Sequence, residues 1–143
     1  MCVFVNKNSK LLVCKRTDNK SWQFPQGGLD KDETYETALY REVKEEIGVS
    51  SFTVSKKSNK TICYNFPSQL SSAIAKKYSG QEQIWFLCHL NKDENPDLAK
   101  ASCDEFCDFT WKTSQDILSE IIYWKKNAYI AGLRSLGLIN SIA

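Results

Sequence analysis

The stretch Thr34–Gly48 constrains this chain more than any other, because it sets carboxylates on the apolar side of a helix. Apolar residues recur at helical spacing, Thr34 is placed to cap the start and Gly48 to end it, so a helix is expected over 35–47. Taking Ala38 as zero and about 100° per residue, Tyr35, Leu39, Val43 and Ile47 form one arc. Glu42 and Glu46 fall inside that arc and Glu45 at its border. Like charges four residues apart repel even on an exposed helix. At ~6 Å and an effective dielectric of ~20 the repulsion is about 3 kcal/mol, and removing the charges from water costs more. A divalent cation offsets both, and Mg²⁺ accepts carboxylate oxygens while keeping several waters. The helix alone also fits a Glu-rich surface helix with a narrow apolar stripe, in which Arg41 is a simple ion-pair partner.

The turn before the helix sharpens the choice. Gly27-Gly28 lets backbone groups approach a cation or an anionic ligand with no β-carbon in the way. A Gly pair by itself marks only a turn. Gly turn, helix and carboxylate cluster together are far more specific.

Elsewhere the pattern is mostly strands. Residues 2–6, 10–16, 51–57, 60–66 and 106–111 read as strands, and Gln83–Cys88 is the clearest of them. Pro67–Gly80 reads as a long polar connection, a length that is uncommon unless it binds something or folds locally. From Ser114 to Leu136 the apolar spacing is helical. One internal helix and a helical end among strands imply an α+β fold, a mixed β-sheet flanked by helices. The 143 residues are expected to form a single domain, 1–143.

Charge and composition exclude several functions. A net charge of +2 leaves no global field to grip nucleic acid, though a local basic patch stays open; DNA is not an expected partner. The longest apolar run, Ile84–Cys88, is far short of the roughly 18 residues of a membrane helix, and a cytoplasmic location follows as the expectation. The six cysteines include no C-x-x-C pair and are expected as reduced thiols, most of them buried. The lone His89 cannot complete a zinc site and reads as a surface or edge histidine.

Taken together, Gly27, Glu33, Arg41-Glu42-Val43, Glu45-Glu46 and Gly48-Val49 resemble the Nudix hydrolase signature, G-x5-E-x7-R-E-U-x-E-E-x-G-U with U a bulky apolar residue. Every fixed position is present, and the box spans 27–49. The resemblance implies the Nudix α/β/α sandwich, with the box as loop-helix-loop. Trp22–Gly28, Gln81–Phe86, Glu105-Phe106, Trp111, Tyr64 with Pro67, and Trp124-Lys125 with Tyr129 resemble the bacterial RNA 5′-pyrophosphohydrolase and diadenosine polyphosphate hydrolase subgroup. That subgroup carries a further segment with a Tyr-Arg-Pro pattern ahead of the first strand, which the first residues here do not match. It also more usually has Phe where this chain has Trp124, a change that keeps stacking.

The resemblance implies metal-assisted hydrolysis of a phosphoanhydride, with water attacking phosphorus. Glu42 and Glu46 would be the main Mg²⁺ ligands (Mn²⁺ or another divalent cation can substitute), and Gly27 would add its carbonyl. Glu45 would be a further ligand or a base, and the base is expected to be Glu42 or Glu45. Arg41 would orient the carboxylates, with Glu33. Glu105 would arrive from a distant loop as another ligand or base; alone, it also reads as a surface carboxylate. Arg16 and Lys125 are candidates to hold phosphates, and Tyr64 and Trp124 to stack on a base; solvated cations and core aromatics are the alternatives. The leading expectation is removal of pyrophosphate from 5′-triphosphorylated RNA. A dinucleoside polyphosphate hydrolase is the second, and a nucleotide sensor without turnover the third. The repelling glutamates argue against the sensor.

Overall fold

The computed structural model describes residues 1–67 and 80–140. The interior of the proposed connection after Pro67 lies outside the described residues. Alternation along two central strands builds the architecture. In β1 (Cys2–Phe4) and β2 (Leu11–Arg16), Val3, Leu11 and Val13 enter one core, while Cys2, Phe4, Leu12 and Cys14 enter another. Both faces of the sheet are therefore buried, and each needs a helical layer. The helix α1 (Tyr35–Ile47) covers the second face through Leu39, Val43 and Ile47. The helices α2 (Ser114–Glu120) and α3 (Lys126–Ser135) cover the first through Ile117, Ala128, Tyr129 and Leu133. This is the expected α/β/α arrangement.

The sheet is mixed. β1 runs parallel to β7 (Phe86–Leu90), which pairs antiparallel with β4 (Phe52–Lys57). β2 lies antiparallel between β3 (Trp22–Gln23) and β8 (Phe106–Lys112). A bridge from Val5 to Leu11 ties β1 to β2. A separate ladder joins β5 (Ile62–Asn65) to β6 (Gly80–Gln83).

Two expectations are corrected. Gln83–Cys88 is not one strand: pairing passes from β5 to β1 and β4 at Ile84-Trp85. There Ile84 joins the α1-side core and Trp85 the α3-side core. The Ser58 hydroxyl accepts from Trp85 N–H at 3.1 Å, and Ser58 N–H donates to Trp85 O at 2.8 Å. The run reads as one strand in the sequence, because its partner switch leaves no mark in the alternation. Nor is Ser114–Leu136 one helix. Ile121 is extended (ψ 144°), and a 3-10 turn, Tyr123–Lys125, precedes α3. That break brings Trp124 against Tyr64 and turns Lys125 inward.

The cysteines are all free, but only Cys2, Cys14 and Cys88 are buried; Cys63, Cys103 and Cys107 are exposed, so burial holds for half rather than most. Partly exposed His89 meets the Ser55 hydroxyl at 2.8 Å, as befits a surface histidine. Among the described residues no helix is long and apolar enough to cross a membrane.

Candidate active site

The loop-helix-loop forms as its residues dictate. The Thr34 hydroxyl accepts from Thr37 N–H at 3.1 Å, and Gly48 closes α1 with φ 69°, donating to Lys44 O at 3.1 Å. A side chain at Gly48 would also collide with Asp97 O. Tyr35, expected on the apolar arc, sits at its rim and is 37% exposed.

Arg41 organises the acidic face. Its Nε and Nη2 fork both oxygens of Glu33 at 2.7 and 2.8 Å. Nη1 donates to Glu42 at 2.8 Å and Glu45 at 3.2 Å, and Nη2 also donates to Gly28 O at 2.9 Å. One planar guanidinium thus fixes the Gly turn, the loop and two helix carboxylates. Glu33 also accepts from Asp30 N–H, and these donors, Arg41 foremost, hold its carboxyl down to about 2. The simple ion-pair alternative for Arg41 undercounts its partners.

Glu46 behaves differently. Only 1% of it is exposed, and among the described residues neither carboxylate oxygen has a hydrogen-bond partner. Burial, then the neighbouring Glu105 and Glu42, push it up to about 10. Glu105 is also raised by burial, against the pull of Arg16. Its loop is tied to α1, because Glu45 O accepts from Ser102 N–H at 2.9 Å and Cys103 N–H at 3.3 Å. The backbone of Thr17 holds Glu105 O at 2.9 Å. The solvated-helix alternative does not account for an acid buried without a donor. Hard carboxylate oxygens of this kind suit a divalent cation. Among the described residues no three such groups already form a finished cage, and Glu42 and Glu45 are instead engaged by Arg41. A cavity of about 160 Å³ opens beside Gly27, Glu42 and Glu46, with Leu39 and Ile84 in its walls.

The expected phosphate contacts gather beyond Glu105. Arg16 is forked by Asp18 at 2.9 and 2.7 Å and reaches Glu105 at 3.3 Å. Lys125 is 8% exposed; its Nζ donates to Gln23 Oε1 at 3.1 Å and lies 5.1 Å from the Trp124 ring centre. Burial, with Arg16 nearby, pulls its ammonium down to about 8. Tyr64 is a core aromatic, 7% exposed between Phe66 and Trp124. Trp124 remains partly exposed.

Sequence reasoning missed Gln23 and Asp18. Asp18 is legible as a near neighbour of Arg16 in a polar loop. Gln23 falls inside the quoted Trp22–Gly28 segment, but nothing local singles it out: it stands between two aromatics and meets Lys125 from 102 residues away.

The NUDIX domain family matches residues 1–131. An RNA pyrophosphohydrolase of Pelagibacter ubique is 38% identical over 130 residues, 89% of this chain and 82% of that protein. Among solved structures, a MutT protein from Methanosarcina mazei superposes with a TM-score of 0.68 at 16% identity, over 94% of this chain and 91% of that one. An Ap4A hydrolase binary complex from C. elegans gives 0.66 at 16% identity, over 95% and 93%. With the signature residues on one loop-helix-loop and the family match covering most of its length, this chain belongs to the NUDIX family.

Proposed function

We propose that this protein, a single domain over 1–143 acting in the cytoplasm, removes pyrophosphate from 5′-triphosphorylated RNA with Mg²⁺, for which Mn²⁺ can substitute. The observation that carries the reading is Glu46, an acid buried without a donor and facing Glu42 and Glu105. The likeness to RNA pyrophosphohydrolases supports the choice of substrate. Glu42, Glu45, Glu46, Glu105 and the Gly27 carbonyl would hold the metal. When bound, such an ion neutralises phosphate oxygens and makes water a better nucleophile.

The protein's own residues supply the rest. Arg41, fixed by Glu33, restrains Glu42 and Glu45, so whichever of the two accepts the proton of the attacking water is already oriented. Arg16 and Lys125 bind the phosphate chain, and Lys125 does so from a desolvated position where its charge acts strongly. Trp124, partly exposed, offers the stacking surface for a base; Tyr64 supports it from beneath. A second reading, hydrolysis of dinucleoside polyphosphates, is favoured by the likeness in fold to an Ap4A hydrolase.

Incubation with Mg²⁺ and either 5′-triphosphorylated RNA or diadenosine tetraphosphate separates the readings. Pyrophosphate from RNA supports the first, and ATP plus AMP from the dinucleotide the second. Binding with no product from either would overturn both in favour of a sensor.

A further inference from the structure

Lys125 is a buried ammonium with no carboxylate partner among the described residues. Among the described residues its one side-chain acceptor is the neutral carboxamide of Gln23, itself 1% exposed. The same oxygen, Oε1, faces Arg16 Nη1 at 3.5 Å. Gln23 stands on β3 opposite Cys14, two residues before Arg16 on the neighbouring strand, so the sheet register places its side chain within reach of Arg16. Among the described residues its own amide nitrogen finds only Phe24 O, at 3.5 Å.

Burying Lys125 against one neutral oxygen is costly, since its charge lacks full compensation, whereas the partly exposed Arg16 is paired with Asp18 and Glu105. An apolar residue at 23 would leave Lys125 with no acceptor at all, whereas a carboxylate would cancel its charge. A carboxamide does neither. It fixes the donor geometry while leaving the positive charge uncancelled beside the rings of Tyr64 and Trp124. The charged groups that bear on Lys125 are Arg16, which repels it, and Asp18 and Glu105, which favour it. Asp18 is committed to Arg16 through both oxygens.

We infer that Gln23 is a positioning residue for phosphate binding: its neutral oxygen holds Lys125 beside Arg16 without cancelling the Lys125 charge that grips an anionic phosphate chain. The inference rests on the proposed reading in which these two cations contact phosphates, and it adds the residue that keeps them usable.

The test uses Gln23→Glu, which is nearly isosteric, and Gln23→Met, with Lys125→Met as reference. Two readouts apply: titration of the Lys125 Cε resonance by carbon-13 NMR in the free protein, and kcat and KM across pH for 5′-triphosphorylated RNA. Gln23→Glu is expected to raise the Lys125 pKa by about a unit or more. It is also expected to raise KM about tenfold with kcat little changed, the pattern of lost uniform binding. In Gln23→Met the Lys125 pKa falls, so KM departs from wild type at about pH 8 and returns to it near pH 6. A purely structural role would lower Tm and leave the Lys125 titration where it is. Unmoved titration and KM profiles in both Gln23 variants, alongside a raised KM in Lys125→Met, would overturn the inference alone. An unchanged KM in Lys125→Met would overturn the phosphate reading beneath it.

Discussion

A β-carbon on Gly27 would lie 2.0 Å from Cδ of Glu42. The Gly turn and the helix carboxylate therefore occupy space that only a glycine leaves free. The obstructed atoms belong to a flexible side chain, so Gly27→Ala is expected to cost under about 1 kcal/mol of stability, because Glu42 can swing away. Swinging away breaks its 2.8 Å bond to Arg41. Turnover should fall at least about tenfold, as expected when a positioned group is displaced. Thermal unfolding and steady-state kinetics on the same preparation check both halves.

Glu46→Gln should separate stability from activity in the opposite sense. An acid buried without a donor destabilises the metal-free fold. Replacing it with an isosteric amide is expected to raise the metal-free Tm by about a few degrees. It should also abolish the further rise that Mg²⁺ gives to the wild type. Unfolding scans with EDTA and with Mg²⁺ read this out. A lower Tm that still responds to Mg²⁺ would count against a metal role for Glu46.

Lys125 carries a signed dependence on pH. Its folded value is about 8 against an ordinary 10.5, because burial disfavours the ammonium. Between those values the unfolded chain holds the proton and the folded chain does not, so this residue makes stability rise with pH across that window. Below about 8 the full penalty is present. Lys125→Met should therefore stabilise the protein at pH 7 by up to about 3 kcal/mol and flatten the rise between about 8 and 10.5. Urea unfolding at a series of pH values measures it. A wild-type stability that falls over that window through this residue would contradict the assignment.

Gly132 makes another close approach, and here the neighbour is a packed ring rather than the end of a flexible side chain. A β-carbon would lie 2.2 Å from the Trp85 ring, which is fully buried and packed edge-on against Tyr129. Gly132→Ala is expected to destabilise by about 1–3 kcal/mol, despite alanine's better helix propensity, because overpacking outweighs it. Denaturant unfolding is the check; an unchanged or higher midpoint would show that α3 can shift away from the sheet.

The contrast between Glu46 and Gln23 shows where the sequence was legible. Glu46 shares a helix with the apolar residues around it, so a constant angular step was enough to expose its misplaced charge. The same local logic revealed Thr34, Gly48 and the alternating faces of β1 and β2. Arg41 was seen beside its carboxylates, but its reach to Gly28 O depends on how the loop folds back. Gln23 meets Lys125 only because β3 and the 3-10 turn converge in space, and no one-dimensional period encodes that meeting. The division at Ile84-Trp85 was hidden for a related reason: both residues are apolar, and only the exchange of strand partners sends them to opposite cores. Local periodicity therefore located the helix carboxylates, the resemblance added Glu105, Arg16 and Lys125 as candidates, and only Gln23 waited on tertiary structure.

Release of labelled pyrophosphate from 5′-triphosphorylated RNA by wild type, Glu42→Gln and Glu45→Gln, each in Mg²⁺, bears most directly on the acidic helix as the seat of hydrolysis. At least one variant should lose turnover by about a hundredfold or more with its Tm within a few degrees of wild type, the loss expected when a metal-linked acid or base is removed. Near-normal turnover in both variants would contradict the account.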